Sequence, residues 1–245
     1  MKRIEKNNAS LSSRQTSGIS FSISNLMPFN LLKCEHVIGL KGIIFTIILF
    51  LFPLVNGYSN NELDGKEPNK SLIYNIIKNE EIIGKIEIHL STSGDSIIYD
   101  IESDVLAKFI LKFKVVGKER YIYKKGTLVY SSLFRTLNDK VKTNHSILYH
   151  KGEYSLQTPE KISPLNFEAI KCNLIKLYVN EPVGITSVFC DNQQQMLKVV
   201  PIGKGIYKVE FSSGKYNIFY YENGICVKVK AVSPLFDVTL IPVLS

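Results

Sequence analysis

Apolar and polar residues alternate in short segments through most of the chain after Ser71. In "IIGKIEIHL" (82–90), Ile86, Ile88 and Leu90 alternate with charged or polar residues. This two-residue period is typical of a strand with one buried face. Similar segments follow one another, separated by turn sequences such as "SGD" (93–95) and "ENG" (222–224), and Asn-Gly favours a tight hairpin. The pattern predicts a mainly β protein, an antiparallel meander with one face on a core.

The alternation stops between residues 158 and 182. After Pro159 and Pro164, apolar residues recur at roughly helical spacing (Ala169, Ile170, Leu174, Ile175 and Leu177). We predict a helix of two or three turns that ends before Pro182, and a corner at "LYVNEPVG" where Gly184 permits a bend. Strands resume afterwards without a long linker. Residues 71–245 are therefore one predicted antiparallel β domain with one short helix, preceded by a polar, flexible tether at 58–70.

An apolar segment near the N terminus predicts export. In "KGIIFTIILFLFPLVNG" (41–57), a run from Ile43 to Phe52 is interrupted only by Thr46. The run is shorter than the ~20 residues of a membrane-spanning helix, and small or apolar residues precede a cleavage site before Tyr58. We expect residues 1–57 to be an N-terminal extension with a helical signal peptide, and the exported chain to reach the periplasm or the extracellular space. An uncleaved segment 38–56 that tethers the protein to the inner membrane is the alternative.

The charge of the chain gives little reason to expect nucleic-acid binding. The net charge of +8 comes from 30 Lys and Arg against 22 Asp and Glu. Residues 1–57 contain six of the basic and two of the acidic residues, which leaves 24 against 20, or +4, in the remainder. No basic block that could follow a phosphate backbone is present. We expect membrane contact only through the signal segment.

Candidate catalytic and metal-binding groups are scattered along the chain. No G-x-S-x-G or CxxC motif occurs, and His89, His145 and His150 are dispersed, so we interpret them as exposed strand residues. The acids at positions 100, 102 and 104 share one strand face, which we interpret as solvated. We interpret Cys172, Cys190 and Cys226 as small buried side chains, and leave one disulfide open. We therefore expect a protein that is not an enzyme and needs no cofactor or metal.

Aromatic residues on both faces of "YNIFYYENG" (216–224) suggest either a fully packed core or an apolar groove. Core packing is the more common fate of such residues. If a groove exists, its candidate ligand-binding residues are in this strand and at the end of the predicted helix, with Glu181 at the rim of the sheet: Tyr178, Glu181, Tyr216, Phe219 and Tyr221.

Four stretches together resemble a family of exported proteins from Gram-negative bacteria described only as a domain of unknown function. They are "YNIIKNEEIIGKIEI", "YKKGTLVYSSLFRTLNDK", "LIKLYVNEPVGITSVFCD" and "YYENGICVKVKA", and the resemblance spans about residues 70 to 243. One departure is at Asn192–Gln195, where an aromatic or basic residue followed by glycine is expected.

The resemblance implies a curved antiparallel sheet, a half-barrel partly wrapped around a helix, similar to periplasmic carriers of lipoproteins or lipids. It implies no reaction, catalytic residue or cofactor. We therefore expect a non-enzymatic protein of the cell envelope that binds a lipid-like or apolar ligand in a half-barrel groove. The alternative is a structural or protein-interaction module of the envelope whose core is filled by its own side chains. The partner is accordingly an apolar small molecule or an envelope protein.

Overall fold

The computed structural model describes residues 69–108, 112–234 and 237–243. They form fourteen strands and one helical turn. The elements are β1 (Lys70–Lys78), β2 (Glu81–Ser93), β3 (Ser96–Lys108), β4 (Lys112–Lys124), β5 (Thr127–Leu137), β6 (Lys140–His150), β7 (Glu153–Gln157), β8 (Ile162–Leu165), α1 (Lys176–Val179), β9 (Ser187–Cys190), β10 (Gln195–Gly203), β11 (Ile206–Ser212), β12 (Lys215–Glu222), β13 (Ile225–Val232) and β14 (Asp237–Pro242).

All fourteen strands belong to one antiparallel sheet, which confirms the predicted fold class. The spatial order is β8-β7-β6-β5-β4-β3-β2-β1-β14-β13-β12-β11-β10-β9. Two meanders, β1–β8 and β9–β14, are joined where β1 pairs with β14 from Tyr74↔Pro242 to Ile77↔Thr239. Strands β8 and β9 are the two ends of the sheet, which is curved but not closed into a barrel.

The alternating pattern places the core on one face of the sheet. Ile86, Ile88 and Leu90 of β2 are at most 3% exposed, as the sequence pattern predicts. The predicted hairpin at "ENG" is also confirmed: Asn223 and Gly224 both have positive φ angles, 51° and 79°, as a type I′ turn requires. Every buried hydrophobic side chain of the described chain lies between residues 74 and 240.

The prediction of a helix with two or three turns is wrong. Residues 162–165 form strand β8, and the only helical turn between residues 158 and 186 is the four-residue α1. Cys172 and Leu174 instead bond the backbone of Phe189, with N···O distances of 2.9 and 3.1 Å. This parallel bridge holds the chain extended before α1. The helical spacing of apolar residues reflects burial on all sides rather than on one helical face.

The predicted signal segment and the alternative anchor at 38–56 lie outside the described residues, as does most of the tether. Among the residues that are described, no helix has the length and hydropathy needed to cross a membrane.

Candidate functional site

Residues 170–180, which we call the inner segment, fill the concave side of the sheet. Its apolar residues are at most 7% exposed (Ile170, Leu174, Ile175, Leu177, Tyr178 and Val179). Two tyrosines of the sheet donate hydrogen bonds to carbonyl groups of α1: Tyr74 Oη to the Tyr178 carbonyl at 2.7 Å, and Tyr221 Oη to the Leu177 carbonyl at 2.5 Å. Strands β1 and β12 thus hold the turn in place by satisfying backbone groups that a short helix leaves unpaired.

Two further tyrosines hold the start of the inner segment. Tyr123 of β4 donates a hydrogen bond to Asn173 Oδ1 at 2.8 Å. Tyr154 of β7 donates to the Leu128 carbonyl at 2.8 Å, and its oxygen accepts a bond from the Ile170 N–H at 2.9 Å. Strands from both halves of the sheet therefore contact the same segment, and the sheet curves around it.

Three of the five predicted ligand-binding residues lie in this interior. Tyr178, Phe219 and Tyr221 are 1%, 0% and 7% exposed. The rings of Tyr178 and Phe219 meet edge to face at a centroid distance of 5.3 Å. These three residues are brought together by the fold, and their side chains contact other core residues.

The other two predicted residues lie elsewhere. Tyr216 is half-buried on the outward face of β12, and the ammonium of Lys208 lies 4.5 Å from its ring centroid. Glu181 Oε1 accepts a hydrogen bond from Tyr207 Oη at 2.9 Å, and its backbone N–H donates to the Gly224 carbonyl. Glu181 therefore joins the corner after α1 to strand β11 and to the turn between β12 and β13.

A buried ionic centre connects β4 and β5. The guanidinium of Arg135 donates to Glu119 Oε1 at 2.5 Å, and Tyr121 Oη donates to Glu119 Oε2 at 2.5 Å. Glu119 and Arg135 are only 4% and 2% exposed. Arg135 also donates to Asn192 Oδ1 at 3.2 Å, which connects the pair to the turn between β9 and β10. A charged pair buried this deeply is stable only if both partners are present.

Sequence reasoning missed this centre, although a signal existed. Side chains two residues apart in a strand lie on the same face. Glu119 therefore shares a face with Tyr121 on β4, and Arg135 shares a face with Leu133 on β5, so each charge lies on a predicted apolar face. Arg135 pairs across the strands with Gly117. An acid and a base on the inward faces of neighbouring strands are the pattern that predicts a buried ion pair.

Asp191 is a second buried acid beside this centre. Its side chain is 1% exposed, and Oδ2 accepts a hydrogen bond from Asn173 Nδ2 at 3.2 Å. Among the described residues, Oδ1 has no hydrogen-bond partner. Burial raises the pKa of Asp191 to about 7, and the nearby charge of Glu119 adds to the effect.

His145 borders the same region and differs from its prediction. It is half-buried rather than exposed, because position 145 is on the inward face of β6 with Ile147. Burial, and then the positive charge of Arg135, lower the pKa of His145. With Asn192, it lines a polar cleft of about 440 Å³, whose other walls include Thr143, Glu160 and Gln194. The departure from the family pattern at Asn192–Gln195 thus lies at the rim of this cleft.

The other candidate groups are surface interactions. Ser71 Oγ and His89 Nδ1 are 2.8 Å apart, but the two residues are exposed cross-strand partners in β1 and β2. The row of acids on β3 is solvated as predicted: Asp100 pairs with Arg120, and Glu102 with Lys118 across β4. No group of three or more His, Cys, Asp or Glu within the described ranges could hold a metal ion.

A second cleft, of about 400 Å³, is more apolar. It lies between the inner segment and the β9–β10 edge, and its walls include Phe167, Ile170, Cys172, Ile185 and Met196. Glu168 and Lys171 are its charged residues. None of the predicted ligand-binding residues is part of this wall.

We expect the stability of the protein to fall as pH rises from about 4 to about 7, through the contribution of Asp191. Because its pKa is raised from 3.8 to about 7, the folded state binds more protons than the unfolded state in this interval. Chemical denaturation between pH 4 and 8 measures the slope. In Asp191→Asn this contribution disappears, whereas the opposite contribution of His145 near its lowered pKa stays. Equal slopes for both proteins would contradict the assignment.

We expect one of the three cysteines Cys172, Cys190 and Cys226 to react with iodoacetamide in the folded protein. Cys172 is half-buried, whereas Cys190 and Cys226 are buried, and none of these three forms a disulfide in the structure. Burial raises the pKa of the Cys172 thiol, so the reaction should be slow. Mass spectrometry should find one modified site in buffer and three in denaturant. Fewer than three in denaturant without reductant would indicate a disulfide.

Comparisons with known proteins identify a family and a similar structure. The sequence profile of a domain of unknown function, DUF6134, matches residues 74–243. A β-barrel-like protein of another domain of unknown function, DUF1849, from Brucella abortus is similar in structure, with a TM-score of 0.49 and 11% sequence identity over 71% of this chain and 94% of that one. A comparison with curated proteins found no match.

Proposed function

The chain belongs to the DUF6134 family of domains of unknown function, and we propose that it is an exported, non-enzymatic interaction module of the cell envelope. The supporting observation is that the inner segment fills the concave side of the sheet. Leu177 and Tyr178 occupy the space that a half-barrel carrier would leave for its cargo, and they are 0% and 1% exposed. The self-filled alternative from the sequence is therefore favoured over a central groove.

The anchoring of the inner segment supports the same proposal. The hydroxyl groups of Tyr74 and Tyr221 bond α1, and Tyr123 and Tyr154 bond the residues before it. A ligand in the interior would have to break these bonds and expel a packed segment. Binding partners would therefore meet the outer surface, the ends of the sheet or the two side clefts.

Export of the chain and the absence of a bound ligand in its interior can be tested on one preparation. We expect the full chain, expressed in a Gram-negative host, to be recovered from the periplasm after cleavage. Its mass should be that of a mature chain whose first residue is Tyr58. Replacement of Leu49 by arginine within the apolar run should retain the chain in the cytoplasm, because a charge disrupts the signal helix. Native mass spectrometry of the exported chain should give the mass of the polypeptide alone. Retention of the wild-type chain in the cytoplasm would overturn the export proposal.

A second candidate function is supported by the apolar cleft. Its volume of about 400 Å³ lies within the usual range of ligand pockets, and Phe167, Ile170 and Met196 form an apolar wall. Lys171 is an exposed cation at the same cleft, where it could meet the carboxylate of a fatty acid. In this candidate the protein binds an apolar ligand at the side of the sheet.

A thermal-shift measurement with added fatty acid separates the two candidates. If the cleft binds an acyl chain, the melting temperature should rise with ligand concentration. The rise should be absent in Met196→Arg, which places a charge in the cleft, and present in Met196→Leu. No shift for the wild-type protein, together with no co-purified ligand, would leave the interaction module as the remaining proposal.

A further inference from the structure

We propose that the outward face of strands β10–β13 docks on an anionic lipid surface. We call it the lysine–tyrosine face and define it by its outward side chains: Lys198, Val200, Ile202, Lys208, Tyr216, Ile218, Tyr220, Lys228 and Lys230. The proposal names a partner for the interaction module and rests on the proposed function only for delivery to the envelope.

The sheet register brings the basic and aromatic residues together. Ile218 of β12 is flanked by Lys208 of β11 and Lys230 of β13. Tyr220 pairs across the strands with Lys228, whose ammonium lies 4.0 Å from the ring centroid. Half-buried tyrosines with lysines above them present an apolar ring and a mobile charge to the same side, as interfacial binding requires.

The charge of this face differs from that of the other half of the sheet. On β3 and β4, Asp100 and Glu102 are neutralised by Arg120 and Lys118. Residues 195–232 instead contain six lysines and only two glutamates, of which Glu210 pairs with Lys208. On the lysine–tyrosine face itself, four lysines lie beside Glu210, and this excess of three positive charges attracts an anionic surface within a Debye length.

Exposed apolar side chains on the same face favour a lipid over a soluble polyanion. Val200 and Ile202 of β10 are 45% and 51% exposed, and Val200 pairs across the strands with Lys208. A polyanion would use the lysines but leave these two side chains in water. A bilayer interface binds both the lysines and the two aliphatic side chains, because aliphatic groups enter the boundary region while ammonium groups stay with the lipid phosphates.

Vesicle co-sedimentation of residues 58–245 tests the proposal. This fragment omits the apolar leader, which would bind lipid by itself, and it retains the whole described sheet and core. We expect binding to vesicles of phosphatidylglycerol and phosphatidylcholine, weak binding to phosphatidylcholine alone, and release at high salt. The double variant Lys198→Glu/Lys230→Glu should bind at least about tenfold more weakly, because each change reverses a charge near the surface.

Matched variants control for net charge and hydropathy. Lys140→Glu/Lys142→Glu makes the same charge change on exposed positions of β6, and its binding should stay within about twofold of the wild-type value. Val200→Ser/Ile202→Ser should weaken binding by about threefold or more, whereas Ile82→Ser/Val141→Ser, which changes two exposed apolar residues elsewhere, should not.

Three results would overturn the proposal. They are no binding of the wild-type fragment, equal losses in the control pairs, and displacement by dextran sulfate without any effect of Val200→Ser/Ile202→Ser. The last result would assign the face to a polyanion. Since the fragment is tested in vitro, the vesicle-binding result does not depend on whether the chain is exported. The export result, in turn, does not depend on whether the fragment binds lipid.

Discussion

Replacement of Arg135 by alanine lowers the free energy of unfolding by an expected ~3–5 kcal/mol, because it leaves a buried charge without its partner. Glu119 is 4% exposed and is bonded by Arg135 and Tyr121 at 2.5 Å each. Without the guanidinium, its carboxylate must stay charged in an apolar interior or take up a proton. The same change removes the bond from Arg135 to Asn192, which connects β5 with the β9–β10 turn. Urea denaturation of the fragment 58–245 measures the loss.

Two variants distinguish the effect of leaving a buried charge unpaired from the general effect of removing an arginine. Arg120→Ala breaks a pair with Asp100 on the exposed face of neighbouring strands, where it should cost less than about 1 kcal/mol. The double variant Glu119→Leu/Arg135→Met removes both buried charges and should be more stable than Arg135→Ala. If Arg135→Ala costs no more than Arg120→Ala, the ionic centre does not stabilise the fold as we describe.

Replacement of Tyr178 by alanine should cost about 3–5 kcal/mol and create an apolar cavity on the concave side of the sheet. Its ring packs edge to face on Tyr74, at a centroid distance of 5.6 Å, and on Phe219 at 5.3 Å. Since the side chain is 1% exposed, the surrounding core can collapse only partly into the space. A dry apolar cavity binds small aromatic molecules, so added benzene should recover part of the melting temperature.

The matched control for this prediction is on the opposite face of the sheet. Tyr220→Ala removes a half-buried ring that is covered mainly by Lys228, and we expect a loss below about 2 kcal/mol and no benzene effect. Equal losses for the two alanine variants would mean that α1 does not fill the core. In that case the observation behind the interaction-module proposal would fail.

The ionic centre shows how far strand periodicity can predict a site. The parity of Glu119 and Arg135 places both on inward faces, but parity does not reveal which residue across the sheet meets them. Asn173 and Asp191 join the neighbouring network from regions more than 35 residues beyond β5, with Asn173 Nδ2 bonding Asp191 Oδ2 at 3.2 Å. The pKa of Asp191 depends on this enclosure, because burial is its main cause.

The alternating apolar pattern by itself determined most of the strands, most of the turns and the antiparallel order of neighbours, since each depends on residues a few positions apart. Strand β8, which lies where the alternation stops, was not predicted. Tertiary structure decided the pairing of β1 with β14 and the curvature around the inner segment. It also decided the conformation of residues 170–180, which local spacing predicts as part of one helix of two or three turns. The bridge to Phe189 holds the chain extended as far as Asn173, and a turn and the four-residue α1 follow. The reason is physical: when a segment is buried on all sides, its backbone partners and its environment come from distant strands, and its own sequence no longer selects its conformation.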